Sequence, residues 1–277
     1  MQTIKYTFQP HGDDRGQLIA LEEFKDIPFK IKRVYFMYDT ADKVVRGRHA
    51  HKSLQQILIC IHGSCKVRLD NGTETKIVLL EHPYEGLYVS NDMWREMYDF
   101  SKDAVLLVLA SELYDEKDYI RNYDDFLKHI GVQNGISQKQ DKGGGVKTYE
   151  LHKDYNEAYK TINIFNNINI PFEMQRVFFM YGTTKQCIRG KHANRKSQFI
   201  LINASGTSRV KVKDGLGREM DFNLDQPDKG LYLPAMVWKE MYDFSENSVL
   251  LCLSSEPYDA KEYIRDYYEF TNYVHCN

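Results

Sequence analysis

The segment Trp94–Phe126, WREMYDFSKDAVLLVLASELYDEKDYIRNYDDF, returns at Trp238–Phe270 as WKEMYDFSENSVLLCLSSEPYDAKEYIRDYYEF, with 21 of 33 positions identical. Working outward, IPFKIKRVYFMY from Ile27 matches IPFEMQRVFFMY from Ile170, and RGRHAH from Arg46 matches RGKHAN from Arg189. The offset is 143 in the early part of each copy and 144 in the later part, so one residue has been added. The turn signals LDNG (Leu69–Gly72) and KDGLG (Lys213–Gly217) place that addition at a hairpin tip, where Asn-Gly and Asp-Gly favour tight reversals.

Two copies of this length are too few and too long for a solenoid and read as two tandem domains. The expected boundaries are 1–134 and 148–277, joined by a linker at 135–147 within a Gly-, Gln- and Lys-rich stretch. Inside each copy, short runs rich in Val, Ile, Tyr and Phe alternate with turn signals, as in KRVYFMYDT, QQILICIHG, TKIVLLEHP and AVLLVLAS. That pattern predicts an all-β fold, a sandwich or barrel. The end of each copy differs: in YDEKDYIRNYDDFLKHI, Tyr119, Tyr123, Phe126, Leu127 and Ile130 fall at helical spacing after Asp115, a candidate N-cap. Each domain is therefore read as a β-barrel with a short C-terminal helix.

Composition agrees with a folded globular protein: 42% of the 277 residues are apolar, 13% aromatic and 27% charged. A formal net charge of −2 gives no electrostatic case for nucleic acid or an anionic membrane, so an anionic ligand must be held by local cations. AVLLVLA, Ala104–Ala110, is much shorter than the ~20 residues of a membrane-spanning helix, and a cytoplasmic location is expected. Cys60, Cys65, Cys187, Cys252 and Cys276 are odd in number, lack CxxC spacing, and are read as reduced thiols.

His49 and His51 are two apart, so on a strand both side chains leave the same face. An inward pair lies about 6–7 Å apart by the strand rise of ~3.3 Å per residue. Such a pair can be structural, can ligate a metal, or can move protons near neutral pH, since imidazole titrates near pH ~6.5. A metal needs three or four protein donors. The residue four after His51 is Gln55, a poor ligand, and GLYVSNDMWREMYDF offers Trp94 and no histidine, which leaves only His62 and His82 beside turns. The donor count argues against a metal site.

DDRGQLIALEE, IPFKIKRVYFMYDT, RGRHAHKSLQQILICIHGSCKV, GLYVSNDMWREMYDFS and VLLVLASELYDEKDYIRNYDDF resemble, in order, segments of the dTDP-4-keto-6-deoxyglucose 3,4-ketoisomerases, the cupin-type sugar isomerases. The resemblance covers nearly all of the first copy and most of the second. It implies two tandem cupin-type jelly-roll barrels, no metal cofactor, and a dTDP-linked 4-keto-6-deoxy sugar as substrate. Dimers are usual in this family, so the two copies are expected to form an intrachain pseudo-dimer. The implied reaction moves a ketone from carbon 4 to carbon 3 through an enediol, for an unusual deoxysugar of a surface glycan. His51 is then the base at carbon 3 and His49 the acid serving carbon 4, with Tyr35 completing the relay or steadying the enediolate. Arg46, Arg15 and Arg33 are candidates for the diphosphate, and Gln55, Trp94 and Glu96 for the cavity lining, with barrel core as the equal alternative for Trp94. A sugar-nucleotide 3,5-epimerase-like cupin, a non-catalytic sugar-nucleotide-binding module and, more remotely, a metal dioxygenase are the alternatives.

The second copy keeps His192 and Arg189 but carries Asn194 where the first has His51, and Ala158 where the first has Arg15. Asparagine does not titrate in the physiological range. The second domain is accordingly expected to keep the fold without the proton relay and to serve as a built-in partner.

Overall fold

A computed structural model describes residues 5–13, 15–131, 148–150, 152–156 and 159–276. The fold is mostly β and forms two compact units of the same design. In the first unit a seven-stranded sheet runs, in spatial order, Lys5–Thr7, Glu85–Val89, Gln56–His62, Val105–Ala110, Arg33–Tyr38, Tyr159–Phe165 and His152–Asn156. A five-stranded sheet runs Tyr119–Ile120, Arg46–His51, Trp94–Tyr98, Cys65–Asp70 and Thr75–Leu80. All pairings are antiparallel and their non-sequential order is that of a jelly roll. The second unit repeats both sheets with the counterpart strands.

The copies read from the sequence and the compact units are different partitions of the chain. Tyr159–Phe165, from the second copy, pairs with Arg33–Tyr38, setting Ile164 opposite Val34 and Ile162 opposite Phe36. Reciprocally, Gly16–Glu22 pairs with Arg176–Tyr181 in the second unit. Each unit thus contains one hairpin of the other copy. The expected linker, 135–147, lies outside the described residues. The extra residue of the second copy sits at a hairpin tip, as expected: the turn Asn71–Glu74 becomes the longer Asp214–Arg218.

The segment read as one C-terminal helix is divided. Asp115 caps a 3-10 turn, Glu116–Asp118, by accepting from the Lys117 amide. A two-residue strand, Tyr119–Ile120, then pairs with His51 and Ala50, and only after it does Asn122 cap the helix Tyr123–His129. The helical spacing of Tyr119 is overridden because its backbone completes the edge of the five-stranded sheet. Asp115 therefore caps the turn and not the α-helix.

Period-two alternation sorts the wall of the first unit into two faces. Met37, Leu58, Cys60, Val67, Leu69, Met97, Leu106 and Val108 pack as one buried apolar cluster in the barrel interior. Along the same strands and facing the same way stand Arg33, Tyr35, Gln56 and Arg95, so the interior has an apolar end and a polar end. On the opposite face of the five-stranded sheet Ala50, Trp94, Ile120 and Phe126 form a separate cluster under the helix Tyr123–His129. Trp94→Ala removes the centre of that small core and lowers the unfolding free energy by ~3–5 kcal/mol, measured by urea titration. A loss below ~1 kcal/mol would contradict this packing.

Candidate active site

The strand Arg46–His51 carries the histidine pair, and a bulge sets its phase. His49 lies opposite Arg95 and Gly47 opposite Glu96, which leaves Arg48 as the extra residue, at φ +53°. Gly47, at φ +83°, lies so close to Arg95 that a Cβ there would fall 2.6 Å from the Arg95 carbonyl oxygen. Because of the added residue, Arg46 shares a face with His49 and His51, opposite the interior Met97.

Both histidines face the polar end. Their ring centroids are 4.8 Å apart, nearly perpendicular, and closer than the strand rise alone suggests. The Tyr119 ring lies against both, 4.2 Å from His51 and 4.9 Å from His49. His51 is fully buried, and its Nδ1 is 2.9 Å from Asp118 Oδ2. An ionised carboxylate only accepts, so Nδ1 carries the proton and Nε2 keeps the lone pair. Asp118 is fixed in turn by the Ser53 amide and hydroxyl, which donate to its Oδ1 at 2.8 and 2.6 Å. His51 Nε2 is buried and has no hydrogen-bond partner among the described residues. His49 Nδ1 donates to the Gly47 carbonyl at 3.0 Å, which leaves the lone pair on its Nε2.

Burial governs the electrostatics. It pushes His51 down to about 4, against the opposing pull of the Asp118 hydrogen bond and with help from Arg95. Burial, then Arg95 and His51, holds His49 well below the usual imidazole range. Burial alone would raise Asp118, but the hydrogen bonds from His51 and Ser53 outweigh it and hold the carboxyl well below its usual range. Tyr35 is pushed up to about 12 by burial, and its hydroxyl accepts from Gln56 Nε2 at 2.7 Å, so its own proton remains to be donated. Arg95 is 1% exposed and brought down to about 10 by burial, so it remains charged. It donates to the Ser90 carbonyl at 3.2 Å, while its Nε and one terminal nitrogen have no partner among the described residues. Arg33 stands 4.9 Å from the Tyr35 ring and 5.8 Å from the Tyr114 ring.

The polar end therefore brings together His49, His51, Tyr35 and Arg33, with Arg46 on the same strand face. Three other residues expected to line the cavity are corrected. Trp94 packs with Phe126 and Tyr123 beneath the helix. Glu96 follows it on that outer face, accepting from Trp94 Nε1 at 3.4 Å and from Arg68 at 3.3 Å. Gln55 turns away from the interior and accepts from the Tyr88 hydroxyl at 2.7 Å. In each case an adjacent residue, Arg95 or Gln56, is the inward one. Arg15 is corrected too: it belongs to the second unit, paired with Asp13 at 3.0 Å beside Arg189. In that unit His192 donates to the Gly190 carbonyl at 3.0 Å and Asn194 Oδ1 accepts from Lys239 at 2.5 Å, while Arg189 donates to the Gly16 carbonyl.

Asp118, Arg95 and Gln56 were not singled out by sequence, and Tyr119 only as a helix position. Asp118 carried one signal, an acidic residue at the same place in both copies, Asp118 and Glu262. Among the described residues no group of three or more His, Cys, Asp or Glu side chains is placed to hold a metal ion, and no helix is long and apolar enough to cross a membrane. The cysteines are unpaired.

Two jelly-roll barrels, one with a buried His–Asp pair beside a second histidine, define a cupin-type protein equipped for proton transfer. The family model FdtA: WxcM-like, C-terminal matches residues 1–131 and again 145–275, and the chain belongs to that family. It is 54% identical over 134 residues to the TDP-4-oxo-6-deoxy-alpha-D-glucose-3,4-oxoisomerase of Aneurinibacillus thermoaerophilus, a match spanning 48% of this chain and 96% of that protein. A 3,4-ketoisomerase from Helicobacter canadensis is 48% identical, over 48% of this chain and 99% of that one, with a TM-score of 0.47. The sugar 3,4-ketoisomerase QdtA of Thermoanaerobacterium thermosaccharolyticum, solved in complex with TDP, is 47% identical over 47% of this chain and 94% of that one, with a TM-score of 0.46.

Between about pH 6.5 and 4 an unfolded chain binds a proton at His51 that the folded one does not. Stability from this group is thus retained above pH ~6.5 and falls as pH drops through that window. In nitrogen-15 NMR at pH 6, His51 is expected as the neutral Nδ1–H tautomer; an imidazolium at that pH would contradict the geometry.

Proposed function

We propose that the chain is a sugar-nucleotide 3,4-ketoisomerase acting on dTDP-4-keto-6-deoxyglucose, with the chemistry in the first unit. The observation that carries this reading is the fully buried His51, its Nδ1–H on Asp118 and its Nε2 lone pair turned to the polar end of the barrel. Its relatives are 3,4-keto- and 3,4-oxoisomerases, which favours movement of the ketone over epimerisation.

His51 Nε2 removes the carbon-3 proton, and the electron pair of that bond forms the carbon–carbon double bond while charge develops on the carbon-4 oxygen. Arg95, charged and poorly hydrated, stabilises that oxyanion, and Tyr35, protonated at any physiological pH, donates to the enediolate. As the electrons return, the carbon-3 hydroxyl loses its proton to become the ketone, carbon 4 is protonated, and the proton taken by His51 passes to the carbon-4 oxygen, which becomes the hydroxyl. His49, working through Nε2, takes up the proton released on the oxygen side and serves as the acid at the carbon-4 end. Atoms and electrons balance without oxidant or water. Arg33 and Arg46 hold the diphosphate, for which a planar guanidinium is well matched.

In this reading the enzyme works in the cytoplasm and its 3-keto-6-deoxyhexose product is committed to a surface glycan such as a lipopolysaccharide O-antigen. The copies act as an intrachain pseudo-dimer, which the reciprocal exchange of hairpins supports.

Incubation with dTDP-4-keto-6-deoxyglucose in deuterium oxide, followed by NMR, is expected to give a ketone at carbon 3 and deuterium at carbon 4. A ketone still at carbon 4 with inverted neighbouring centres would instead establish an epimerase. Asp118→Asn preserves the shape but not the charge behind His51, and is expected to lower kcat by ~10²–10⁴ with little change in KM. An unchanged kcat would remove Asp118 from the mechanism.

A further inference from the structure

The second unit has lost one set of side chains and kept another, and the division follows their chemistry. Kept is a cage of arginine and aromatic rings. His192 lies 4.7 Å from Tyr263, as His49 lies 4.9 Å from Tyr119. Tyr258 and Tyr263 are 5.5 Å apart, against 5.4 Å for Tyr114 and Tyr119. Arg176 stands 5.5 Å from the Tyr258 ring and Arg265 4.8 Å from the Tyr263 ring, against 5.8 and 4.4 Å for Arg33 and Arg121.

Every group given a role in moving protons apart from His192 has been exchanged. Asn194 stands for His51, Phe178 for Tyr35, and Lys239 for Arg95. The exchanges are mutually adjusted. The Tyr35–Gln56 hydrogen bond is replaced by an edge-on pair, Phe178 and Phe199, 6.2 Å apart. Lys239, fully inside, lies 4.7 Å from the Phe199 ring and donates to Asn194. Glu262, at the place of Asp118, takes the Ser197 hydroxyl at 2.5 Å and the amides of Lys196 and Ser197, and no histidine. Replacing both members of a buried hydrogen-bonded pair costs far less than orphaning one, so this interior has been rebuilt rather than eroded. It still holds buried donors without partners among the described residues: Asn194 Nδ2, itself 2% exposed, and Arg176 Nε. The hairpin received from the first copy adds Arg15 beside Arg189, both on Asp13.

We propose that the second unit is a second binding site for a nucleoside-diphosphate-linked sugar, which it holds without isomerising. This rests on the reading of the first unit as a nucleotide-sugar site, since the cage is recognised by its likeness to that one. Guanidinium forks serve the diphosphate and the tyrosine rings serve the base and sugar faces. Lys239 and Asn194 offer hydrogen bonds to a sugar oxygen, but among the described residues of the unit no imidazole is backed by a carboxylate to remove a carbon-bound proton.

Isothermal titration of the full chain with TDP tests this: two molecules per chain are expected, falling to one in Arg176→Leu and in Tyr263→Ala. One molecule per wild-type chain would overturn the second site. His51→Asn protein given dTDP-4-keto-6-deoxyglucose in deuterium oxide is expected to bind two molecules and incorporate no deuterium. Incorporation that disappears on further replacing Lys239 would show the second unit to be catalytic and overturn the proposal. The two readings fail separately. Wild-type protein that moves the ketone but binds one TDP refutes only the second site, whereas protein that never moves the ketone refutes the isomerase.

Discussion

Burying a neutral imidazole leaves one donor and one acceptor to be satisfied, and at His51 only the donor is, among the described residues. Asp118 takes the Nδ1–H of His51, and Ser53 holds Asp118 in place, so the ring can neither turn nor change tautomer without losing a charge-assisted hydrogen bond. Much of the local architecture serves this contact. The two-residue strand Tyr119–Ile120 interrupts what would otherwise be a longer helix, and in doing so delivers Asp118 and Tyr119 to the histidines. The bulge at Gly47–Arg48 lets Arg46 share their face.

The same burial keeps the pair in the neutral form that the proposed proton abstraction requires. An exposed imidazole is half-protonated near pH ~6.5, and only the unprotonated half can accept a proton. Away from water, and beside the charged Arg95, His51 stays neutral well below that pH. Arg95 thus discourages protonation of His51 and, in the proposed reaction, faces the negative charge that develops on the substrate. The second unit lacks this contact. With Asn194 in place of His51, the carboxylate at 262 no longer has an imidazole to orient, and its hydrogen bonds pass to the backbone and hydroxyl of the neighbouring loop.

The fold was legible because a long internal repeat and strand alternation both survive any rearrangement of partners, and the histidine pair because i,i+2 spacing puts two side chains on one face of any strand. The cavity lining was less so. On a strand, an error of one residue reverses the face: Trp94 and Glu96 point to the helix while Arg95 points inward, and Gln55 points away while Gln56 holds Tyr35. The phase of Trp94–Tyr98 is set by its register against Cys65–Asp70, where Arg95 meets the interior Leu69. Asp118 lies 67 residues from His51 along the chain, and its role depends on a fold-level contact. Arg15 was assigned to the wrong unit because exchange of a hairpin between copies leaves no mark in local sequence.

The central claim is that His51 is the group that lifts hydrogen from the sugar ring. It is tested most directly by following loss of the carbon-3 proton of dTDP-4-keto-6-deoxyglucose into deuterium oxide, by NMR, for wild-type and His51→Gln proteins of equal TDP affinity. Wash-out by the wild type and none above background by the variant is the predicted result. Equal rates in the two would contradict the account.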